Sequence, residues 1–155
     1  VFKCPSETRT LTAKNALRAV NTNYVAIVGE GTAWPGSRGS TYDDFARDGT
    51  MATIQVVEVH DSGIHWMEPR DLEFATTSTT INAGPPGRCI CSEHLGGANV
   101  AMADGSVHFL PDDESGKTVR AMLTADGGEV ILPVGNAAFE KFLGDQEVVY
   151  RRNSP

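Results

Sequence analysis

The side chains best suited to chemistry in this sequence are His94, Glu58, His60, His65, Asp104 and three cysteines. His94 is followed by Gly96-Gly97, and nine residues separate it from Asp104-Gly105. A neutral imidazole at His94, with oxygen from Asp104 or Glu58, would make a candidate divalent-metal site. A structural use competes with it: the ring can hydrogen-bond a backbone carbonyl, and one His with one turn Asp falls short of a full ligand set. Glu58 and His60 fall on one face of a strand by alternation, with His65 across a hairpin. They would form either a metal-binding cluster or a solvated, hydrogen-bonded face. Asp43, Asp44 and Asp48 are the densest carboxylate group and the candidate calcium ligands, although no EF-hand spacing is present. No cofactor is expected, with a bound calcium or other divalent ion as the alternative.

The cysteines are Cys4, Cys89 and Cys91. An odd count leaves one thiol over. Cys89 and Cys91 share one strand face, and a disulfide from Cys4 to Cys89 or Cys91 is the expected pairing in an oxidising compartment. The alternative is three reduced thiols. Cys-x-Cys with His94 supplies only three ligands and lacks finger spacing. No G-x-S-x-G, S-x-x-K or H-E-x-x-H occurs, so no recognised nucleophile is present and no enzyme is expected. Trp34, in a Gly-rich loop, is the candidate for contact with a sugar or other ligand, whereas Trp66 is expected in the core.

These residues need elements to hold them. Asn23 to Val28 and Met51 to Val59 are β-branched runs that predict strands. Asp43 to Ala46 predicts a helical turn. Ile64-His65-Trp66 predicts the start of a return strand, and residues 75–87 predict a long surface loop. Asp104-Gly105 between Asn99–Ala103 and Ser106–Leu110 predicts a hairpin with a type I′ turn, in which both central residues take positive φ. That need already accounts for Gly105, and a turn contact accounts for Asp104. Ser115 predicts the cap of a helix through Leu123, with Val119, Met122 and Leu123 inward and Gly127-Gly128 beyond its end. Glu129–Val134 and Gln146–Tyr150 predict strands. Leu11, Ala16, Leu17 and Val20 predict one short helix, and Ala137–Leu143 another.

Composition excludes several classes. The chain has 155 residues, which favours one domain over 1–155. A net charge of −7 without a basic stripe argues against nucleic acid. No apolar run reaches the roughly 20 residues a membrane helix needs. Gly29-x-Gly31 lacks the third glycine and following helix of a dinucleotide site.

Six segments, in order, resemble one family. They are Phe2-Lys3-Cys4-Pro5-Ser6; Asn23-Tyr24-Val25 through Thr32 to Gly36; Asp48-Gly49-Thr50 with Thr53-Ile54 and Glu58; Trp66 to Leu72; His94 to Gly105; and Leu123-Thr124 to Val130. The fifth resembles the H-X9-DG signature of prepilin-like (pseudopilin-type) proteins of planctomycete type, through His94, Gly96, Gly97, Asn99, Asp104 and Gly105. The likeness runs over about residues 2–131, with 132–155 a C-terminal extension. Met51-Ala52 stands where the family shows Ser-Asn. The resemblance implies an α+β, pilin-like antiparallel sheet domain with short helices. The family's N-terminal hydrophobic helix is missing from this piece, which fits a soluble fragment. It implies an extracytoplasmic protein, in periplasm or at the cell surface, anchored in the membrane only through that helix. Its partners would be other pilin-like subunits in a type IV pilus or type II secretion-like pseudopilus, and its role structural. Two other functions are kept in view. One is a solute- or glycan-binding module in the loops around Trp34 and 75–87. The other is a metal-dependent enzyme using His94, Glu58 and His65.

Overall fold

The structure, a computed structural model, describes residues 2–7, 21–133 and 148–151. The chain alternates short β-branched runs with glycine-rich turns, and the runs become strands. These are β1 (Tyr24–Val28), β2 (Ile54–Glu58), β3 (Leu72–Glu73), β4 (Gly97–Met102) and β5 (Val107–Pro111). They form one sheet in the order β3-β1-β2-β4-β5. The β1–β2, β2–β4 and β4–β5 pairings are antiparallel, but β3 pairs parallel with β1. The sheet is therefore mixed, which corrects the expectation of a wholly antiparallel one. The cause is the path from β2: Ile64-His65-Trp66 makes only a bridge at His65 to Asn21 instead of a return strand, and Leu72 then joins the far side of β1.

Alternation along the strands, reset on β2 by an irregularity between Ile54 and Val56, sends Val25, Ile27, Ile54, Val57, Val100, Met102 and Leu110 into one core. Helix α1 (Gly116–Leu123) closes that core with Val119, Met122 and Leu123. The Ser115 hydroxyl caps α1 as expected, accepting the Thr118 N–H at 3.0 Å. The helix ends at Thr124, before the glycine pair, whose N–H groups at Gly127 and Gly128 are both taken by the Asp48 carboxylate. Beyond it, β6 (Val130–Pro133) and β7 (Val148–Arg151) form a two-stranded parallel sheet. The architecture is mostly β with little helix. The helices expected around Leu11–Val20 and over Ala137–Leu143 lie outside the described residues. No helix among the described residues is long and apolar enough to cross a membrane.

The hairpin at Asp104-Gly105 forms, but with a different turn. Gly105 has φ +87°, while Asp104 is not in the positive-φ region. The Gly105 N–H reaches the Met102 carbonyl and the Met102 N–H the Ser106 carbonyl. This is a three-residue loop with the glycine in the left-handed position, as in a type I turn followed by a G1 bulge. The Asp104 side chain braces the turn from within, accepting the Ser106 N–H at 2.8 Å and its hydroxyl at 2.7 Å.

The disulfide expectation is also corrected. Cys89 is bonded to Cys91, with Cα atoms 5.4 Å apart, and Cys4 remains a buried thiol. Cys89 and Cys91 belong to the main core, whereas Cys4 lies outside that cluster and is held by Asn23. The Cys4 N–H donates to Asn23 Oδ1 at 2.9 Å.

Candidate functional site

The sheet face turned away from the core carries a cross-strand row. Tyr24 on β1 is paired with Glu58 on β2, and Asn99 on β4 with Phe109 on β5. Asn99 spans the gap: its N–H and its side-chain amide both donate to Glu58 Oε2 at 3.0 Å. A carboxylate on an outward face would ordinarily be solvated. Glu58 is only 1% exposed. Residues 2–7 and the loop before β4 cover it.

The covering segment is fixed by backbone bonds. The Asn23 N–H donates to the Phe2 carbonyl at 2.8 Å, and the Val59 N–H donates to the Asn23 carbonyl at 2.7 Å. The Asn23 side-chain amide donates to the Val59 carbonyl at 3.1 Å and to the Glu7 carboxylate. Lys3 pairs with Glu7 at 2.9 Å. From the other side, Gly96 with φ +84° and the His94 N–H bond to Ser92 Oγ at 3.1 Å turn the imidazole inward.

Three different atoms then converge. His94 Nε2 lies 3.4 Å from Cys4 Sγ and 3.5 Å from Glu58 Oε1. The three donor atoms all lie within 4.8 Å of one another. The other ring nitrogen, Nδ1, meets the Ser6 hydroxyl at 3.2 Å. Glu58 Oε1 is buried and has no hydrogen-bond partner. Burial, then the adjacent Glu58 carboxylate, pushes the Cys4 thiol up from its usual pKa. Burial and the same two neighbours push Tyr24 up to about 12. A raised pKa favours the thiol over the thiolate, the reverse of the shift that activates a cysteine.

Of the residues singled out in the sequence, the fold unites His94 and Glu58 and leaves Asp104 out. Asp104 sits past the other end of β4, spent on Ser106. Of the residues expected in one set, His94 and Glu58 come together without Asp104, and the third side chain beside them is Cys4. His60 lies beyond β2, 3.7 Å from Glu93, and His65 Nδ1 accepts the Met67 N–H, so neither joins Glu58. Asp44 is bound to Arg38 and Thr41, and Asp48 to the glycine pair. The Arg38 guanidinium, with Thr41, holds Asp44 well below the usual carboxylate range. Gly97 has a packing duty: a Cβ there would stand 2.1 Å from the Leu110 carbonyl oxygen.

The tryptophans also differ from expectation. Trp66 is 51% exposed and lies against Phe2 and His65, not in the core. Trp34 is part exposed, but its indole N–H donates to the Gln55 carbonyl at 2.8 Å. Gln55 falls where β2 slips register against β4, so Trp34 satisfies an acceptor freed by that irregularity.

Comparison with known families places the chain at this point. Residues 24–114 match the family described as "Protein of unknown function (DUF1559)". The chain belongs to the DUF1559 family. The match takes in Glu58, His94 and the Asp104-Gly105 hairpin, and starts after Cys4. It is narrower than the segments 2–131 in which a likeness was read. No curated protein and no solved structure matches this DUF1559 member.

Proposed function

We propose that this chain is the extracytoplasmic domain of a prepilin-like protein, a structural subunit of a type IV pilus or type II secretion-like pseudopilus. The observation that carries this reading is the work done by His94 to Gly105. Gly96 and Gly105 supply left-handed backbone, and Gly97 lets β5 approach β4. Asn99 holds the buried Glu58, and Asp104 closes the turn. His94 fastens residues 2–7 to the sheet. The signature residues build a domain on which an N-terminal segment is docked, and they leave no poised nucleophile.

Three further points support it. DUF1559 membership is consistent with the narrower H-X9-DG resemblance of planctomycete type. The Cys89–Cys91 disulfide fits an oxidising compartment outside the cytoplasm. The exposed Phe2, Trp66 and Met67 lie beside the docked segment, where a hydrophobic helix upstream of Phe2 would pack against like subunits. In this reading the protein catalyses no reaction, and it meets the membrane only through that helix.

Antibody raised against the domain tests the proposal on intact and fractionated cells. Gold label on surface fibres, or antigen in the membrane and periplasmic fractions, is the expected result. Antigen confined to the cytosol overturns it.

A further inference from the structure

We propose that Cys4, Glu58 and His94 form a binding site for one divalent transition-metal ion of the zinc class. Geometry comes first. At usual zinc bond lengths, sulfur, nitrogen and oxygen ligands of a tetrahedral ion stand about 3.4–3.6 Å apart. Cys4 Sγ and His94 Nε2 are 3.4 Å apart, and His94 Nε2 and Glu58 Oε1 are 3.5 Å apart.

The direction of the groups is the second argument. In a Cys–His relay the orienting group holds the ring nitrogen remote from sulfur. Here thiol and carboxylate both face Nε2, and Nδ1 is left to the Ser6 hydroxyl. Such convergence suits a common centre, not a proton chain. If Nδ1–H donates to Ser6, Nε2 carries the lone pair a metal needs, and Ser6 fixes the ring as outer-shell partners of metal-bound histidines do.

The third argument is the buried acceptor. Glu58 is 1% exposed and its Oε1 has no hydrogen-bond partner, while Oε2 is filled by Asn99. A buried carboxylate oxygen without a partner is costly, and a cation removes the cost. The His94 side chain is 32% exposed, so the cluster reaches solvent on the histidine side. A mixed sulfur, nitrogen and oxygen set favours zinc-like ions over calcium or magnesium, which take oxygen. On binding, the S–H bond of Cys4 breaks and a metal–sulfur bond forms. One proton leaves to solvent per ion, and thiolate and carboxylate together balance the double positive charge.

Cobalt(II) and zinc(II) titrations of the purified, chelator-treated chain test this. Expected are one-to-one saturation, a sulfur-to-cobalt charge-transfer band, visible bands of a tetrahedral ion, and displacement of cobalt by zinc with release of one proton. Cys4→Ser should abolish the sulfur band. His94→Gln, at a part-exposed position, should weaken zinc binding on the order of tenfold or more while circular dichroism stays unchanged, and carries the test if Cys4→Ser does not fold. Ser6→Ala should weaken binding by about tenfold. Folded wild-type protein with no saturable uptake overturns the proposal. So does equal zinc affinity in wild type and His94→Gln.

Discussion

Glu58 sits on the strand face that alternation turns away from the core, yet it is almost fully buried. Its lid comes from Cys4 and His94, which are 90 positions apart in the chain. Period-two patterning reports which face a residue takes, not what later folds over that face. Glu58 and His94 are therefore legible together as candidate ligands, while Cys4 reads as half of a disulfide. The available signal was that Cys89 and Cys91 lie close enough to pair with each other, which leaves the third cysteine over. Asn99 is the support that keeps Glu58 in place. Asn99→Ala removes one hydrogen bond to a buried charged group and should cost about 1.5–3 kcal/mol in urea unfolding. Asp104 sets a pH dependence. Its hydrogen bonds from Ser106 hold it below the ordinary 3.8, so the ionised form is favoured in the folded turn. Its contribution is complete above that ordinary value and disappears as pH falls through the depressed one. The Ser106 amide, followed by NMR, should lose its hydrogen-bonded shift in that acid window. A shift that holds in Asp104→Ala would show that the carboxylate is not the partner.

Elements bounded by local chemistry were readable, and those set by long-range pairing were not. Ser115 capping α1 and the Asp-Gly turn between β4 and β5 involve neighbours within three or four residues, so the sequence pattern carries them. The turn type escaped because Asp-Gly suits both two- and three-residue loops, and only the Met102–Ser106 bonding distinguishes them. The parallel β1–β3 pairing joins Ile27 to Leu72 with all of β2 between them, and β3, only Leu72–Glu73, is too short to show alternation. Gly97 and Gly105 separate two uses of glycine in one hairpin. Gly105→Ala strains a positive φ with open space around it and should cost about 1 kcal/mol. Gly97→Ala drives a methyl group into the Leu110 carbonyl and should cost several times more, or detach β5. Paired thermal melts decide this, and equal losses would refute the distinction.

For the molecule as a whole, one disulfide spans a single intervening residue. So short a loop restricts the unfolded chain little, and its reduction should cost about 1–2 kcal/mol. Alkylation of the unfolded, unreduced chain should label Cys4 alone, and after reduction all three cysteines. Label on Cys89 before reduction would count against the bridge. Stability instead rests on the core shared by the five-stranded sheet and α1.

Asn23 gives the domain a mechanical corollary. A pull applied at Phe2 reaches Asn23 directly, and Asn23 passes it through backbone and side chain to Val59, just past the end of β2. Because β2 is the middle strand of its sheet, tension enters where unzipping needs the most bonds broken at once. Such a pull would thus be carried into the centre of the five-stranded sheet.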